Sequence, residues 1–201
     1  MPSTSSSPDP VHRDFRSEVR NWVPGAASVL LDLADEIAKA IEDAAGARAE
    51  RIVAALKLAA GHPDLLTLEQ NTARSDCYAR HVLHADPDGR FTILAIVWGA
   101  GQHSPVHAHH TWCAYAVRSN VLTETVYQWD AGTATALRLR KVDRRAGYGC
   151  YGEAGLEQIH RLGNDTTAPA ISIHVYGVDR HDVTSGVNRI VAENKCDLEV
   201  K

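Results

Sequence analysis

The stretch "GQHSPVHAHHTWCAYAV" at residues 101–117 carries four of the 11 histidines of the chain, at positions 103, 107, 109 and 110, and contains no acidic residue. It is either a polar strand that happens to be rich in histidine or one half of a metal site. The choice depends on whether the rest of the chain supplies the missing ligand.

Alternation along this stretch pairs two of the histidines. Side chains two residues apart on a strand point the same way, with Cα atoms about 6.6 Å apart. The imidazoles of His107 and His109 can therefore bind one ion at about 2.1 Å from each nitrogen, whereas His110 faces the opposite side. A mononuclear site needs a further ligand. His160, in the stretch "LEQIHRL" (156–162), is the best candidate because another strand can bring it across a barrel.

A second row of polar residues lies in "AISIHVYG" (170–177). Ser172, His174 and Tyr176 share one face of the predicted strand, and the residues between them are apolar. Inside an apolar barrel, such a row has to hydrogen-bond to itself or to a ligand. The alternative is a polar face turned to solvent.

The spacing of apolar residues changes from a helical to a strand-like pattern near residue 77. Apolar residues recur at helical spacing in three stretches: Phe15, Val19, Trp22 and Val23, ended by Pro24-Gly25; Leu30, Leu33, Ile37 and Ile41; and Ile52, Val53, Leu56 and Ala60, ended by Gly61-His62-Pro63. Short β-type runs follow at 91–98, 107–117, 121–129, 136–142, 156–162, 170–177 and 187–192, with a turn at Ser119-Asn120. The pattern predicts a helical N-terminal third followed by a sandwich or barrel.

Composition narrows the function classes. The 201 residues carry a net charge of -4 with acids and bases interspersed, so we expect no nucleic-acid partner. No apolar run approaches the ~20 residues that a membrane helix needs, and "MPSTSSSPDP" (1–10) lacks the features of a secretory signal. The four cysteines show no CxxC pairing, which favours free thiols and a reducing cytoplasm.

The histidine stretch resembles the first motif of the cupins, in which a glycine is followed by five residues and then HxH. Here Gly101 precedes His107-Ala108-His109 at that spacing. General cupins place a glutamate three or four residues later, where this chain has Cys113 and Ala114. The missing acid is typical of the thiol dioxygenases of the cysteine dioxygenase family.

Two further matches support this resemblance, which covers roughly residues 78–177. His160 and Asn164 stand at the spacing found at the end of the second cupin motif. The run "SIHVY" (172–176) resembles the Ser-His-Tyr triad of the family. The chain departs from the family motifs at two places, and neither is a predicted metal ligand. The glycine that closes the first hairpin is replaced by Asn120, and the proline and glycine before His160 are absent.

The resemblance implies a mainly β cupin fold, a double-stranded β-helix or jelly-roll barrel, with a helical N-terminal segment. We expect a disordered tail over residues 1–12, a helical segment over 13–70 that packs on the barrel, and a cupin domain over 71–201. The family sites imply Fe(II) bound by three neutral histidines, namely His107, His109 and His160. They also imply a catalytic row of Ser172, His174 and Tyr176.

The substrate prediction depends on the tripeptide Tyr78-Ala79-Arg80. An arginine at this place resembles the cysteine dioxygenases, and a glutamine resembles the 3-mercaptopropionate dioxygenases. A guanidinium offers a forked, permanently charged partner to a carboxylate. The resemblance therefore implies that Arg80, with Tyr78 and Tyr176, binds a small thiol carboxylate such as L-cysteine, which reacts with O₂ to give the sulfinic acid.

Other interpretations stay open at this point. The substrate can be 3-mercaptopropionate, mercaptosuccinate or another small mercapto acid. Three histidines also suit a zinc hydrolase, and a cupin barrel can serve as a simple ligand-binding protein. The family further implies a thioether between Cys113 and Tyr176, for which a plain buried thiol is the alternative. We expect a monomer or a small homo-oligomer.

Overall fold

The described part of the chain is a β structure preceded by two helices. A computed structural model describes residues 24–194, with side chains from residue 28 onward. Helix α1 spans Pro24–Ala40 and helix α2 spans Ala45–Ala60, and short 3₁₀ turns follow at Pro63–Leu65 and Glu69–Asn71. The strands are β1 Ala79–Ala85, β2 Thr92–Trp98, β3 His107–His109, β4 Cys113–Ser119, β5 Val121–Asp130, β6 Thr135–Arg145, β7 Gly149–Gly152, β8 Gly155–Gly163, β9 Ala170–Tyr176 and β10 Asn188–Ile190. The predicted mainly β fold with a helical N-terminal segment is confirmed.

Some of the predicted elements differ from the structure, and others fall on residues that the structure does not describe. Pro24 is the first described residue of α1, and the stripe that Pro24-Gly25 was expected to end precedes it. Strands β1 and β7 were not among the predicted β-type runs. The expected tail over 1–12, the first apolar stripe and Cys196 lie outside the described residues. No helix in the described part of the chain is long and apolar enough to cross a membrane.

The strands form two five-stranded antiparallel sheets, in the orders β1-β2-β9-β4-β7 (the first sheet) and β10-β3-β8-β5-β6 (the second sheet). Ile96 on β2, Leu122 on β5 and Leu162 on β8 belong to one buried cluster, so the inner faces of the two sheets pack on each other. This arrangement is the double-stranded β-helix that was predicted. The barrel interior is therefore enclosed by residues from both sheets.

The helices cover the outer face of the first sheet. Ile52 and Leu56 of α2 are fully buried in the same cluster as Ala95 and Ile173, which lie on the two central strands. Strands β2 and β9 are buried on both faces in consequence. Their side chains can face either the helices or the barrel interior but not solvent, and this excludes a solvent-facing polar face for β9.

The predicted strand over residues 107–117 is broken. His107–His109 belong to the second sheet as β3, and Cys113–Ser119 belong to the first sheet as β4. At the crossing, the backbone N–H of His110 donates to Val187 O at 2.9 Å, and Thr111 Oγ1 donates to Gly177 O at 2.8 Å. The prediction of one unbroken strand was wrong, because backbone groups from distant loops pair with this segment. The chain thereby passes from one wall of the barrel to the other.

Asn164, at the end of β8, joins three parts of the barrel. Its side-chain amide donates to Trp98 O at 2.9 Å and to Ala168 O at 2.8 Å. Its carbonyl oxygen accepts from the backbone N–H of Thr166 at 2.9 Å and from Thr166 Oγ1 at 2.7 Å. The residue is fully buried, so all of its hydrogen-bonding capacity is used within the protein. The asparagine of the second motif thus has a structural role.

We predict that Asn164→Asp lowers the free energy of unfolding by at least about 2 kcal/mol. The carboxylate keeps the shape of the amide but points an acceptor at two carbonyl oxygens. Urea unfolding measures the loss, and Gln128→Glu makes the same amide-to-acid change at an exposed position. Equal unfolding midpoints for the two variants would contradict this role.

Candidate metal centre

Three histidines meet inside the barrel. His107 and His109 lie on β3 and His160 lies on β8, directly opposite His107 in the antiparallel register. Their ring centroids are 4.7 to 5.2 Å apart. One nitrogen from each ring lies within 4.8 Å of the others. This spacing suits a common metal ion, and it is the cluster that the sequence predicted.

Hydrogen bonds determine which nitrogen of two rings is free. His107 Nδ1 lies 2.9 Å from the carbonyl oxygen of Pro105, and His160 Nδ1 lies 2.8 Å from Glu124 Oε1. Both partners are acceptors, so each Nδ1 carries a proton and only Nε2 can offer a lone pair to a metal. The Nε2 atom of His160 is buried and has no hydrogen-bond partner. An orphaned, buried ring nitrogen of this kind fits a metal ligand.

Burial keeps two of these rings neutral. It lowers the pKa of His107 to about 3 and that of His109 to about 2, with a smaller contribution from the neighbouring His160. Both rings are therefore in the neutral form at neutral pH, as metal ligation requires. His107 and His109 are therefore neutral nitrogen donors and not a positive patch.

The Ser-His-Tyr row of β9 lines the same cavity. Ser172 Oγ lies 2.8 Å from His174 Nε2, and Tyr176 Oη lies 3.1 Å from His174 Nδ1. All three residues are buried. The row hydrogen-bonds to itself, one of the two outcomes expected for a polar row in an apolar interior.

A tryptophan that the sequence analysis missed gives this row a direction. Trp98 Nε1 donates to Ser172 Oγ at 2.9 Å, and an indole N–H can only donate. With the indole as donor to Ser172 Oγ, the Ser172 O–H is best oriented to donate to His174 Nε2. His174 Nδ1–H in turn donates to Tyr176, whose own O–H proton is left for a group in the cavity.

Arg80 brings a positive charge to the cavity from β1. Its Nη2 donates to the backbone carbonyl of Val183 at 3.1 Å, while its Nε is buried with no partner. Tyr78 lines the same cavity and packs its ring against Trp98 at 4.7 Å between centroids. No acidic residue is among the described residues that line this cavity. The guanidinium is therefore available to an anionic ligand.

Cys113 reaches the cavity from the first sheet. Its Sγ lies 3.5 Å from His109 Nε2, and the residue stands directly opposite Tyr176 in the β4–β9 register. Burial raises the pKa of this thiol well above its ordinary value, so it is a neutral thiol. The expected proximity to the site is present although the unbroken strand is not.

Two of the histidines in the opening stretch do not join the site. His103 pairs through Nε2 with Asp165 at 2.6 Å in a surface loop, and His110 is exposed. Conversely, Glu124 on β5 was missed, and it accepts from both His160 and Arg144. Its only sequence signal is an acid between Leu122 and Val126 on the inward face. Burial alone raises the pKa of Glu124, but its hydrogen bonds outweigh burial and hold that pKa below the ordinary value.

The two sheets and the three inward histidines define a cupin barrel with a metal site. Residues 71–183 match the family model described as cysteine dioxygenase type I. The chain therefore belongs to the cysteine dioxygenase type I family, whose members are thiol dioxygenases. The structure and this match agree on a metal-dependent oxidoreductase.

Several solved structures are similar to part of the chain. A protein from Thermus thermophilus has 16% identity and a TM-score of 0.44, covering 56% of this chain and 95% of that one. A cupin superfamily protein from Desulfitobacterium hafniense has 14% identity and a TM-score of 0.40, covering 54% and 84%. A Cupin 2 conserved barrel domain protein from Salinispora arenicola has 18% identity and a TM-score of 0.42, covering 58% and 88%.

We predict that Trp98→Phe lowers thiol-dependent oxygen consumption about 10-fold while the bound metal is retained, because the indole proton orients the polar row without touching the histidine cluster. In a Ser172→Ala background the same substitution should have no further effect, since its acceptor is gone. Initial rates and metal content measure both effects, with Trp129→Phe as the control. Additive losses in the double variant would refute the proposed link.

Proposed function

We propose that the protein is a non-haem Fe(II) dioxygenase that adds both atoms of O₂ to the sulfur of L-cysteine and yields cysteine sulfinic acid. One observation carries the proposal. The three-histidine cluster shares its cavity with the Arg80 guanidinium, which has no acidic partner among the described cavity residues, and with the Ser-His-Tyr row. Family membership supports the reaction class, and the arginine supports a carboxylate-bearing thiol.

The residues around the cluster fit Fe(II). His107, His109 and His160 would hold it, and no described acidic residue of the cavity competes for a coordination position. Bound Fe(II) would supply the redox chemistry for O₂ and would favour the substrate thiol as its thiolate. Three neutral ligands leave the positive charge of the metal for that anionic sulfur.

The protein's own groups would orient the substrate. Arg80 would hold the carboxylate through the guanidinium donors that Val183 O does not occupy. Tyr176 would donate its free hydroxyl proton to the bound substrate, and His174 would hold the phenol in that orientation. The apolar walls around Ile96 and Leu162 would exclude water from the reacting sulfur.

A thioether between Cys113 and Tyr176 remains a proposal. The directly opposed register of the two residues supports it, and a plain buried thiol is the alternative. The intact mass of the oxygen-exposed protein distinguishes them, because the link removes two hydrogen atoms.

The free thiols of Cys77, Cys113 and Cys150 agree with a reducing compartment, for which we propose the cytoplasm.

The proposed activity is tested by loading the protein with Fe(II) without oxygen and then supplying O₂ with each of three thiols. L-cysteine should give sulfinate with the highest kcat/KM, ahead of 3-mercaptopropionate and mercaptosuccinate. Oxygen uptake and product mass are the measurements, and zinc-loaded protein is the control. No thiol-dependent oxygen consumption in the iron-loaded protein would refute the proposal.

3-Mercaptopropionate is the second candidate substrate. Arg80 recognises the carboxylate that both thiols share, and no described acidic residue of the cavity is present to pair with the ammonium group of cysteine. A zinc hydrolase is less well supported, because Glu124 is held by His160 and Arg144 and is not free to act as a general base.

We predict that Arg80→Gln raises the KM for L-cysteine about 10- to 100-fold, because a charge-assisted hydrogen bond contributes about 1.5–3 kcal/mol. The value of kcat should change less, since the guanidinium does not touch the sulfur. Steady-state kinetics measure both constants, and Arg140→Gln removes a similar charge from an exposed position. An unchanged KM would show that Arg80 does not bind substrate.

A further inference from the structure

Glu124 lies on β5 between two other strands of the second sheet. Strand β5 pairs with β8, which carries His160, and with β6, which carries Arg144. Oε1 of Glu124 accepts from His160 Nδ1 at 2.8 Å, and Oε2 accepts from Arg144 Nε at 2.7 Å. The Glu124 side chain is only 8% exposed. Each oxygen of a buried carboxylate thus has its own partner, one of them a ring of the histidine cluster.

The three histidines of the cluster differ in their outer partners. His107 donates to a neutral carbonyl, that of Pro105. His109 has the neutral thiol of Cys113 beside its ring. His160 alone has a charged partner, because Glu124 faces its Nδ1. The donor set is therefore chemically asymmetric although all three residues are imidazoles.

Arg144 is held in place on the far side of the carboxylate. Its guanidinium carbon lies 4.2 Å from the centroid of the Tyr148 ring, and its side chain is 19% exposed. A cation stacked on an aromatic face and paired with a buried carboxylate keeps one orientation. The pair has no net charge, so Glu124 can face His160 without adding a full negative charge to the site.

We propose that Glu124 and Arg144 are a positioning pair that orients His160 for the metal and sets the charge which the metal presents to an anionic ligand. The inference rests on the metal site of the proposed function but not on thiol oxidation. A carboxylate that accepts from Nδ1–H makes the opposite nitrogen a stronger donor. Arg144 limits this effect by drawing the carboxylate charge toward itself.

The charges predict effects of opposite sign for metal and anion. Glu124→Gln leaves Arg144 as a net positive charge near the site, which weakens a bound cation and strengthens a bound anion. Arg144→Gln leaves Glu124 as a net negative charge, which weakens a bound anion. A residue that only supports the fold would weaken both kinds of ligand together.

Metal titration of the full chain tests the first effect. We expect Glu124→Gln to weaken Co(II) binding, followed by its visible absorption bands, about 10- to 100-fold. Fe(II) in competition with a chelator should lose affinity in parallel. Lys141→Gln is the control, because Lys141 lies on β6 together with Arg144 but pairs with Asp165 and not with Glu124. A Co(II) affinity equal to that of the control would overturn the inference.

Azide binding to the Co(II)-loaded proteins tests the second effect. We expect azide to bind several-fold more tightly to Glu124→Gln than to the unsubstituted protein, and more weakly to Arg144→Gln. Weaker azide binding in both variants would indicate disorder of the site and would overturn the charge assignment. If one variant fails to fold, the other still tests the sign. Neither titration needs thiol oxidation, so its failure is distinct from an absence of sulfinate product.

Discussion

The antiparallel pairing of β3 with β8 is the contact on which the rest of the site depends. It places His107 directly opposite His160 and brings their ring centroids to 4.7 Å from each other. Burying imidazoles in a barrel without hydrogen-bond partners is costly. The barrel reduces that cost by satisfying Nδ1 of His107 and of His160, and it leaves the buried Nε2 of His160 for a metal.

The two sheets contribute different chemistry. The second sheet supplies the three histidines and the carboxylate behind one of them. The first sheet supplies Arg80 and the polar row on β9. Because β2 and β9 are covered by helices on one side and by the second sheet on the other, their inward polar groups are shielded from water. Electrostatic contacts to a small anion are stronger in such a cavity than at a surface.

Local alternation was enough to find some of the site. His107 and His109 share a face of one strand, and so do Ser172, His174 and Tyr176, because neighbouring side chains alternate on any strand. Trp98 and Glu124 were not found in this way. Each contacts its partner across strands that are far apart in the chain, and strand register is not written in either segment alone. The prediction of a continuous strand over 107–117 was wrong for the same reason, because backbone groups that are distant in the chain pair with this segment and divide it.

The sequence by itself determined the change from helices to strands, the alternation that turns each histidine inward or outward, and the motifs that resemble one family. These properties depend on residues within a few positions of one another. Only the tertiary structure decided that β3 and β4 belong to opposite walls, that Trp98 directs the polar row, and that a carboxylate paired with Arg144 lies behind His160. The Glu124–His160 and Trp98–Ser172 contacts, for example, join residues that are 36 and 74 positions apart, where the energy of the closed barrel, and not local preference, selects the neighbours.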